Sequence, residues 1–371
     1  MPDEDRPAPQ QERDQAFMRR ALDLARSGWG QTAPNPMVGA VVVRDDTVVG
    51  EGFHARFGEE HAEVAALRAA GTRAKGATLY VTLEPCNHLG KTPPCTDALL
   101  AAGIGRVVAA VPDPNPVATG GMDRLRAAGV RVDVGLEAEA ARELNAAYLH
   151  SHTSDRPWVV AKLAVSLDGA IADAAGHRGV KGRWLTNAES RREVHHLRAG
   201  VDAVTVGIGT VLADDPMLTV REVPRPRVPP RRVIFDSRLR TPMGAAVVRT
   251  ARMAPTIVVT QQPDARRQEA LVNAGVDVRV SESLGDALRA LAGDGVRSLL
   301  VEGGARLAGS FLEQKLVDRL VIFQAPVVLG AGALNAFAYV SEATAASLGR
   351  LRIVERTTFG DDIMTTYAFG A

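Results

Sequence analysis

Apolar positions alternate between helical and strand spacing through the first 150 residues. Helical spacing over 14–27, ended by two glycines, predicts an opening helix, and strands at 38–43 and 48–53 flank an Asp-Asp turn that predicts a hairpin. The next elements are helix 61–70, strand 78–83, helix 95–102, strand 106–111, helix 120–128, strand 130–134 and helix 137–150. This order predicts a largely parallel sheet between helices.

A polar segment, 151–157, ends in proline and is typical of a linker. Beyond it, the pattern predicts strand 158–165, helix 188–199, strand 202–207, strand 298–302, helix 305–315 and strand 319–324. The four prolines of 223–230 predict an extended surface loop. We therefore expect two α/β domains, at 14–150 and 158–371, preceded by a disordered tail at 1–13.

Composition and charge narrow the partners. A chain of 371 residues, 46% of them hydrophobic, is typical of two domains. Its formal net charge of +1 produces no strong electrostatic field of one sign, so we expect neither a polyanion nor a membrane surface as partner. The most apolar stretch, 158–175, is interrupted by Lys162, Asp168 and Asp173, so we expect no membrane span. The first residues lack the apolar run of a secretory signal, which favours a cytoplasmic protein acting on small molecules.

Three potential metal ligands stand at the ends of predicted elements. His61 opens a helix two residues before Glu63, Cys86 ends a strand, and Cys95 enters the next helix. An imidazole and two thiolates form the three-ligand shell of a catalytic zinc with one open position. His-x-Glu followed by Pro-Cys-x-x-Cys is a mark of zinc nucleobase deaminases, in which the glutamate transfers protons. The match is partial, because eight residues separate these cysteines instead of two.

Two structural interpretations of the cysteines stay open from the residues alone. Cys86 and Cys95 could form a hairpin disulfide, although disulfides are rare in cytosolic proteins. With His88 as a fourth donor, they could instead form a closed structural zinc site. Neither interpretation accounts for Glu63.

The C-terminal half has no complete Gly-x-Gly-x-x-Gly between a strand and a helix, which disfavours a Rossmann domain. Its best phosphate-binding candidate is the turn Glu302-Gly303-Gly304 before a predicted helix, although glycines after a strand are often ordinary turns. His195 and His196 lie in an Arg- and Glu-rich helix, where we expect solvated side chains.

Longer segments of the chain resemble a known family. NPMVGAVVV, HAEVAAL and VTLEPCNHLGKTPPCTDAL are similar to the deaminase half of the bifunctional riboflavin-biosynthesis deaminase/reductase family. KLAVSLDGAIA, RWLTN, VGIGTVLADDPMLTVR, DSRLR and VEGGARLAGSFL are similar to its reductase half. The resemblance implies a cytidine-deaminase-like three-layer α/β/α domain followed by a dihydrofolate-reductase-like α/β domain.

For the deaminase half, the resemblance implies one zinc ion held by His61, Cys86 and Cys95, with Glu63 moving the protons of the hydrolysis. It also implies substrate contacts at Asn35, His88 and Lys91. An Asn-Pro turn and a solvated loop lysine are the structural alternatives.

For the reductase half, the resemblance implies NADPH as hydride donor. The implied NADPH contacts are Ala164, Trp184, Thr210, Asp214, Ser237, Gly304, Ala305, Arg306, Leu307, Ala308, Gly309 and Ser310. The implied substrate contacts are Lys162, Gly182, Arg198, Leu218, Arg221 and Glu302, with Lys162 also a possible proton donor. We expect the arginines to grip the substrate phosphate, although Arg198 could be a solvated helix residue and Trp184 a core filler.

Deamination of a phosphoribosylaminopyrimidine followed by reduction of its ribosyl group is therefore the expected function, in a homo-oligomer formed through the reductase half. Two other hypotheses are a nucleic-acid base deaminase with an accessory domain and a non-catalytic nucleotide-binding sensor. The near-neutral charge and 4% aromatic content disfavour the first, and Glu63 beside three ligands disfavours the second.

Overall fold

The computed structural model describes residues 8–90, 93–176 and 184–370. The chain divides into two compact units, 1–153 and 154–371, and the division falls inside the predicted linker 151–157. Each unit is a sheet with helices, which confirms the predicted α/β class.

The N-terminal unit contains α1 (Ala8–Arg26), β1 (Gly39–Arg44), β2 (Thr47–Phe53), α2 (Ala62–Ala70), β3 (Thr78–Val81), α3 (Cys95–Ala102), β4 (Arg106–Ala109), α4 (Gly121–Ala127), β5 (Arg131–Val134), α5 (Ala138–Leu144) and α6 (Ala146–His150). Its five strands lie in the order β2-β1-β3-β4-β5. β3, β4 and β5 are parallel, whereas β1 is antiparallel to both β2 and β3. The expected largely parallel sheet is thus parallel over only two of its four pairs, because the hairpin takes up one edge.

Helix α1 begins at Ala8, so residues 8–13 are helical and not part of a disordered tail as expected. The polar composition was misleading because Asp14 is only 1% exposed. Its carboxylate accepts hydrogen bonds from Arg106 at 2.7 Å and from Tyr80 at 2.5 Å, and a buried carboxylate paired in this way anchors the helix to the sheet.

The single helix expected at 137–150 is two helices that meet at Asn145. The Asn145 side chain accepts from the Met37 backbone N–H and donates to its carbonyl, both at 2.8 Å. This pair of distant contacts explains the break, because Asn145 is held against another part of the chain.

The C-terminal unit contains β6 (Trp158–Val165), β7 (Ala170–Ala172), α7 (Ala188–Ala199), β8 (Ala203–Gly207), α8 (Ile208–Asp214), β9 (Arg231–Phe235), α9 (Ala246–Arg249), β10 (Thr256–Thr260), α10 (Ala265–Asn273), β11 (Asp277–Val280), α11 (Leu284–Gly293), β12 (Ser298–Val301), α12 (Ala305–Glu313), β13 (Arg319–Gln324), β14 (Leu334–Asn335), α13 (Glu342–Leu348), β15 (Arg352–Phe359) and β16 (Asp362–Ala368). Nine strands form one sheet in the order β11-β10-β9-β8-β12-β6-β13-β16-β15. All pairs from β11 to β13 are parallel, and β16 is antiparallel to both of its neighbours.

Apolar residues cover both faces of this sheet. On β12, Leu299 belongs to a buried cluster with helices α11 and α12, whereas Leu300 belongs to a second cluster with α10. Because neighbouring residues of a strand point to opposite faces, the sheet is sandwiched. The loops at the carboxyl ends of the parallel strands are therefore the places where polar groups can gather.

Within the described residues, no helix is long and apolar enough to cross a membrane.

Candidate functional sites

The zinc donors expected in the N-terminal unit converge. The ligand atoms of His61, Cys86 and Cys95 all lie within 4.8 Å of one another. His61 precedes α2, Cys95 is the first residue of α3, and Cys86 follows β3, so two helix N-termini and one strand end meet here. The positive ends of the helix dipoles favour thiolate over thiol at such a position.

The geometry fits a tetrahedral metal. His61 Nδ1 lies 3.2 Å from Cys95 Sγ and 3.5 Å from Cys86 Sγ. Zinc bonds of about 2.1 Å to nitrogen and 2.3 Å to sulfur place such donors about 3.6 Å apart. Both cysteines are free, so the alternative disulfide is not formed, and His88 is not among the converging donors, which disfavours the closed four-ligand site.

The pKa values of the two thiols are shifted in opposite directions. Hydrogen bonds with Cys95 and His61 lower the pKa of Cys86 to about 4, and the neighbouring Cys86 raises the pKa of Cys95. The Cys95 backbone N–H also donates to Cys86 Sγ at 3.4 Å. The site thus already stabilises one negative sulfur, as a cation-binding site requires.

Glu63 lies in the first turn of α2 and is only 3% exposed. Burial raises its pKa to about 7, although the charge of His61 opposes the shift. A carboxyl with a pKa near neutrality can both accept and return a proton. Glu63 thus lies beside the donors, where it interacts with His61, Cys86 and Cys95.

The loop 113–122 is held against the metal donors by Glu84. This buried carboxylate accepts from the backbone N–H groups of Gly120 at 2.9 Å, Asp113 at 3.1 Å and Met122 at 3.2 Å. A Cβ on Gly121 would lie 1.8 Å from the carbonyl oxygen of Pro85, so only glycine permits this approach. Glu84 therefore positions the chain around Cys86.

Asn35 reaches the donors through a second histidine. His54 Nδ1 lies 3.1 Å from the Glu60 carbonyl oxygen, which can only accept, so Nδ1 carries the proton. Nε2 then accepts from the Asn35 amide at 3.2 Å, and the His54 ring stands edge-on to His61 with centroids 5.4 Å apart. Burial lowers the pKa of His54, which keeps it neutral and suited to this arrangement.

The other two expected substrate contacts are His88 and Lys91. His88 lies in the loop after Cys86, and its buried Nδ1 has no hydrogen-bond partner among the described residues. Lys91 lies outside the described residues.

In the C-terminal unit, the expected cofactor contacts line one edge of the sheet. Ala164 is on β6, Gly304 follows β12, Thr210 follows β8 and Ser237 follows β9. These four strands are consecutive and parallel, in the order β9-β8-β12-β6, so their carboxyl ends share an edge. A crevice at the carboxyl ends of parallel strands is the usual ligand site of such sheets.

The run Gly304–Ser310 divides into two parts. Ala305, Ala308 and Gly309 are buried, and a Cβ on Gly309 would meet the Tyr339 backbone at 2.7 Å. The N–H of Ala308 donates to Gly304 within α12, and α12 has no side-chain cap at its start. Only the first turn therefore offers unpaired backbone N–H groups to a phosphate, since the later residues are bonded within the helix.

Arg198, a substrate contact implied by the family resemblance, is paired with Glu302 in this structure. Its Nε and Nη2 donate to the two carboxylate oxygens of Glu302 at 2.5 and 2.8 Å, and its Nη1 donates to the Thr219 carbonyl at 2.9 Å. Burial would raise the pKa of Glu302, but Arg198 and Lys162 outweigh it and the pKa is lowered. Arg198 is also not solvated, because both partners are about nine-tenths buried, with 12% and 10% of their side chains exposed.

Arg221 is exposed, and among the described residues its guanidinium makes one hydrogen bond, to Thr219 Oγ1 at 2.8 Å. Its backbone N–H donates to Nδ1 of His195 at 3.3 Å. His195 is only 7% exposed, so the expectation of a solvated side chain is wrong for it. Burial, together with the charges of Arg198 and Arg221, lowers the pKa of His195 and keeps Nδ1 an acceptor.

The remaining expected contacts vary in exposure. Leu218 is 2% exposed, so its side chain belongs to the core. Trp184 is 58% exposed, with the Arg191 guanidinium 5.3 Å from its ring centroid, so it is not a core filler. Lys162 Nζ lies 5.3 Å from the Phe323 ring centroid, and Asp214 is exposed at the end of α8. Gly182 lies outside the described residues.

Comparison with known proteins agrees with the division into two domains. Residues 11–111 match the cytidine and deoxycytidylate deaminase zinc-binding region, and residues 157–365 match the RibD C-terminal domain. The riboflavin biosynthesis protein RibD of Aquifex aeolicus is 47% identical over 86% of this chain and 88% of that protein. The chain belongs to the RibD family.

Other members of the RibD family extend the match. The Escherichia coli RibD is 43% identical over 86% of this chain and 89% of its own length. A solved structure from Thermotoga maritima, titled a diaminohydroxyphosphoribosylaminopyrimidine deaminase/5-amino-6-(5-phosphoribosylamino)uracil reductase, is 36% identical, with a TM-score of 0.83 over 97% of this chain and all of that one. An Acinetobacter baumannii RibD structure is 37% identical with a TM-score of 0.81 over the same shares.

Within this RibD-family chain, our sequence analysis overlooked His54 and Glu84 and misjudged His195. His54 follows a strand seven residues before His61, and Glu84 stands two residues before Cys86, so proximity to a ligand was the available signal. His195 lies three residues before Arg198, one helical turn away, which places both on the same helix face.

Proposed function

We propose that the chain deaminates a diaminohydroxyphosphoribosylaminopyrimidine in its N-terminal unit and reduces the resulting 5-amino-6-(5-phosphoribosylamino)uracil in its C-terminal unit. The observation that carries this function is the cluster of His61, Cys86 and Cys95, within 4.8 Å, with buried Glu63 beside it. Matches to relatives over both units support it, and neither a nucleic-acid deaminase nor a non-catalytic sensor accounts for them.

The deaminase step assigns distinct tasks to the residues. Bound zinc would act as a Lewis acid that lowers the pKa of water toward neutrality. Glu63 takes the proton from the attacking water and delivers it to the departing amine, as its pKa of about 7 permits. Asn35, oriented by His54, offers an amide to the pyrimidine ring, and His88 and Lys91 in the loop between the cysteines contact the substrate.

The reductase step uses NADPH, which would supply the hydride. The first turn of α12 offers N–H groups to its pyrophosphate, and Ala164, Thr210, Asp214, Ser237 and Trp184 surround the rest. Exposed Arg221 binds the substrate phosphate. Gly182 and Leu218 are further substrate contacts, Leu218 through its backbone because its side chain is in the core. Arg198 holds Glu302 in place, and Glu302 lies close enough to Lys162 for each to influence the charge of the other. Lys162 is the proton donor or a substrate contact.

A coupled assay on the purified full chain tests both steps. Wild-type protein should release ammonia and oxidise NADPH when given the diaminopyrimidine substrate. Glu63→Gln should do neither, yet should oxidise NADPH when given the deaminated substrate. Lys162→Met should show the opposite result: with the diaminopyrimidine substrate it should release ammonia but oxidise little NADPH.

Two results would contradict the assignment. No ammonia from zinc-loaded wild type would exclude the deaminase, and ammonia without oxidation of NADPH or NADH would exclude the reductase.

The partners complete the proposal. The ligands are small molecules and not nucleic acid or membrane, which the near-neutral charge supports, and the chain forms a homo-oligomer through its C-terminal unit. Two free cysteines in a donor cluster suit the reducing cytoplasm. Light scattering of the full chain and of a C-terminal fragment, together with cell fractionation, tests the assembly and the location.

A further inference from the structure

The loop after β9 carries two exposed arginines at the reductase edge of the sheet. Arg238 and Arg240 flank Leu239, which is fully buried, and Asp236 before them is fully buried too. Asp236 Oδ2 accepts from the N–H of Thr241 at 2.7 Å and from its hydroxyl at 2.8 Å. The loop is thus closed on itself and anchored at Leu239, which leaves the two arginines on the outside.

These two arginines make few hydrogen bonds or ion pairs with the described residues. Arg238 has no hydrogen-bond or ion-pair partner within the part of the chain that the structure describes. Arg240 Nε lies 3.8 Å from Asp236 Oδ1, which is too long for a hydrogen bond. A third guanidinium, Arg267 on α10, donates to the Leu239 carbonyl at 3.1 Å and adds positive charge to the same loop. Such a group of cations can receive an anion.

The loop lies at one end of the proposed cofactor site. From Ala164 on β6 to Ser237 on β9, the edge spans three strand spacings, or about 14 Å at about 4.8 Å each. A dinucleotide extended along this edge, with its nicotinamide near β6 and its pyrophosphate at α12, brings its adenosine to β9. NADPH differs from NADH only by a phosphate on the 2′-oxygen of that adenosine.

We propose that Arg238, supported by Arg240, binds the 2′-phosphate of NADPH and makes the chain prefer NADPH over NADH. The inference rests on the proposed reductase function and adds the residues that select its cofactor. An arginine forms paired, charge-assisted hydrogen bonds with phosphate, and arginines near the adenosine ribose select NADP in other α/β dehydrogenases. NADH has only a hydroxyl there and gains nothing from these cations.

Calorimetric titration of the full chain tests the proposal without any turnover. The ligands are NADPH, NADH, adenosine 2′,5′-bisphosphate and adenosine 5′-monophosphate. Wild type should bind each 2′-phosphorylated ligand at least about tenfold more tightly than its counterpart. Arg238→Ala should remove most of that difference, Arg238→Ala/Arg240→Ala the rest, and NADH affinity should stay unchanged. Arg238→Lys should retain part of the preference.

Arg252→Ala is the matched control, because Arg252 is exposed in the turn before β10, at the opposite edge of the same sheet. It should bind every ligand as wild type does. If the double variant still preferred NADPH as strongly as wild type does, the assignment of the arginines would be overturned and the reductase proposal would stand. Equal binding of NADPH and NADH by wild type would have the same two consequences. Equal loss of NADH and NADPH binding in Arg238→Ala would also overturn it, because the arginine would then only support the loop. Wild-type protein that binds neither dinucleotide would overturn both proposals.

Discussion

The two sites of this chain are built in opposite ways. The proposed zinc site is compact and largely buried, with three side-chain donors within 4.8 Å and Glu63 in the first turn of α2, the helix that His61 precedes. The proposed reductase site is spread along the carboxyl ends of four consecutive parallel strands and would use exposed side chains and the backbone of α12. A metal requires particular donor atoms at fixed distances, whereas a dinucleotide can be held by backbone groups and surface charges. Changes to single side chains should therefore act more severely in the first site.

The largest effect is expected from loss of a zinc donor. Cys95→Ser should release ammonia more than about a hundredfold more slowly. Even substitutions of residues that only hydrogen-bond to metal ligands lower metal affinity or activity about tenfold to a hundredfold. Zinc per chain, measured by mass spectrometry, should fall, while NADPH oxidation with deaminated substrate continues as in wild type. Full zinc content together with full ammonia release would exclude Cys95 as a ligand.

Breaking the Arg198–Glu302 pair should destabilise the C-terminal unit. Arg198→Met leaves a buried carboxylate without its partner, which costs about 3–5 kcal/mol of the free energy of unfolding. Urea unfolding of the C-terminal unit measures this loss. Arg198→Met/Glu302→Leu should recover most of the stability, since it removes the stranded charge as well; a double variant as unstable as the single one would show that the ion pair is not the cause.

A smaller effect is expected from Glu84→Gln. The variant turns one of its two acceptor oxygens into a donor that faces backbone N–H groups, which should cost about 1–3 kcal/mol in the N-terminal unit. Zinc affinity should fall about tenfold, measured by competition with a chelator, because the loop beside Cys86 is no longer fixed. Glu12→Gln, at an exposed position of α1, removes the same charge and should change neither quantity.

The smallest effect is expected from His195→Ala. Without the acceptor for the Arg221 N–H, the phosphate contact should be less well placed, and KM for the deaminated substrate should rise about three- to tenfold with kcat nearly unchanged. Steady-state kinetics of NADPH oxidation measure this split. His196→Ala changes the adjacent imidazole and should leave KM as in wild type; an equal rise in both variants would mean that the helix as a whole had been disturbed.

The comparison between the sites also explains which predictions succeeded. His61, Cys86 and Cys95 could be expected to converge because an imidazole and two thiolates are the donor types of a catalytic zinc, although the spacing of the cysteines matched the general signature only in part. In the second half, the glycine turn at 303–304 was a weak signal, since the same glycines make ordinary turns. Strands β9 to β11 were not predicted individually, and β15 and β16 were missed.

Residue roles that depend on distant partners could not be predicted. Arg198 looked like a solvated residue or a phosphate ligand until Glu302, 104 positions later, was seen to hold it. Asp14 stands at the start of the predicted helix, yet Arg106 pairs it from 92 positions later. The helix expected at 137–150 was broken by the contact of Asn145 with Met37.

From local periodicity and donor chemistry, the sequence by itself determined the α/β class, placed a seam at 151–157, where the two units divide, and selected His61, Cys86 and Cys95 as candidate zinc ligands with Glu63 as the candidate proton carrier. Only the tertiary structure decided that Arg198 is bound to Glu302, that Arg221 is exposed, that His54 contacts Asn35, and that the loops after β6, β12, β8 and β9 share one edge. Strand order and the pairing of charges depend on long-range packing, which no local pattern encodes.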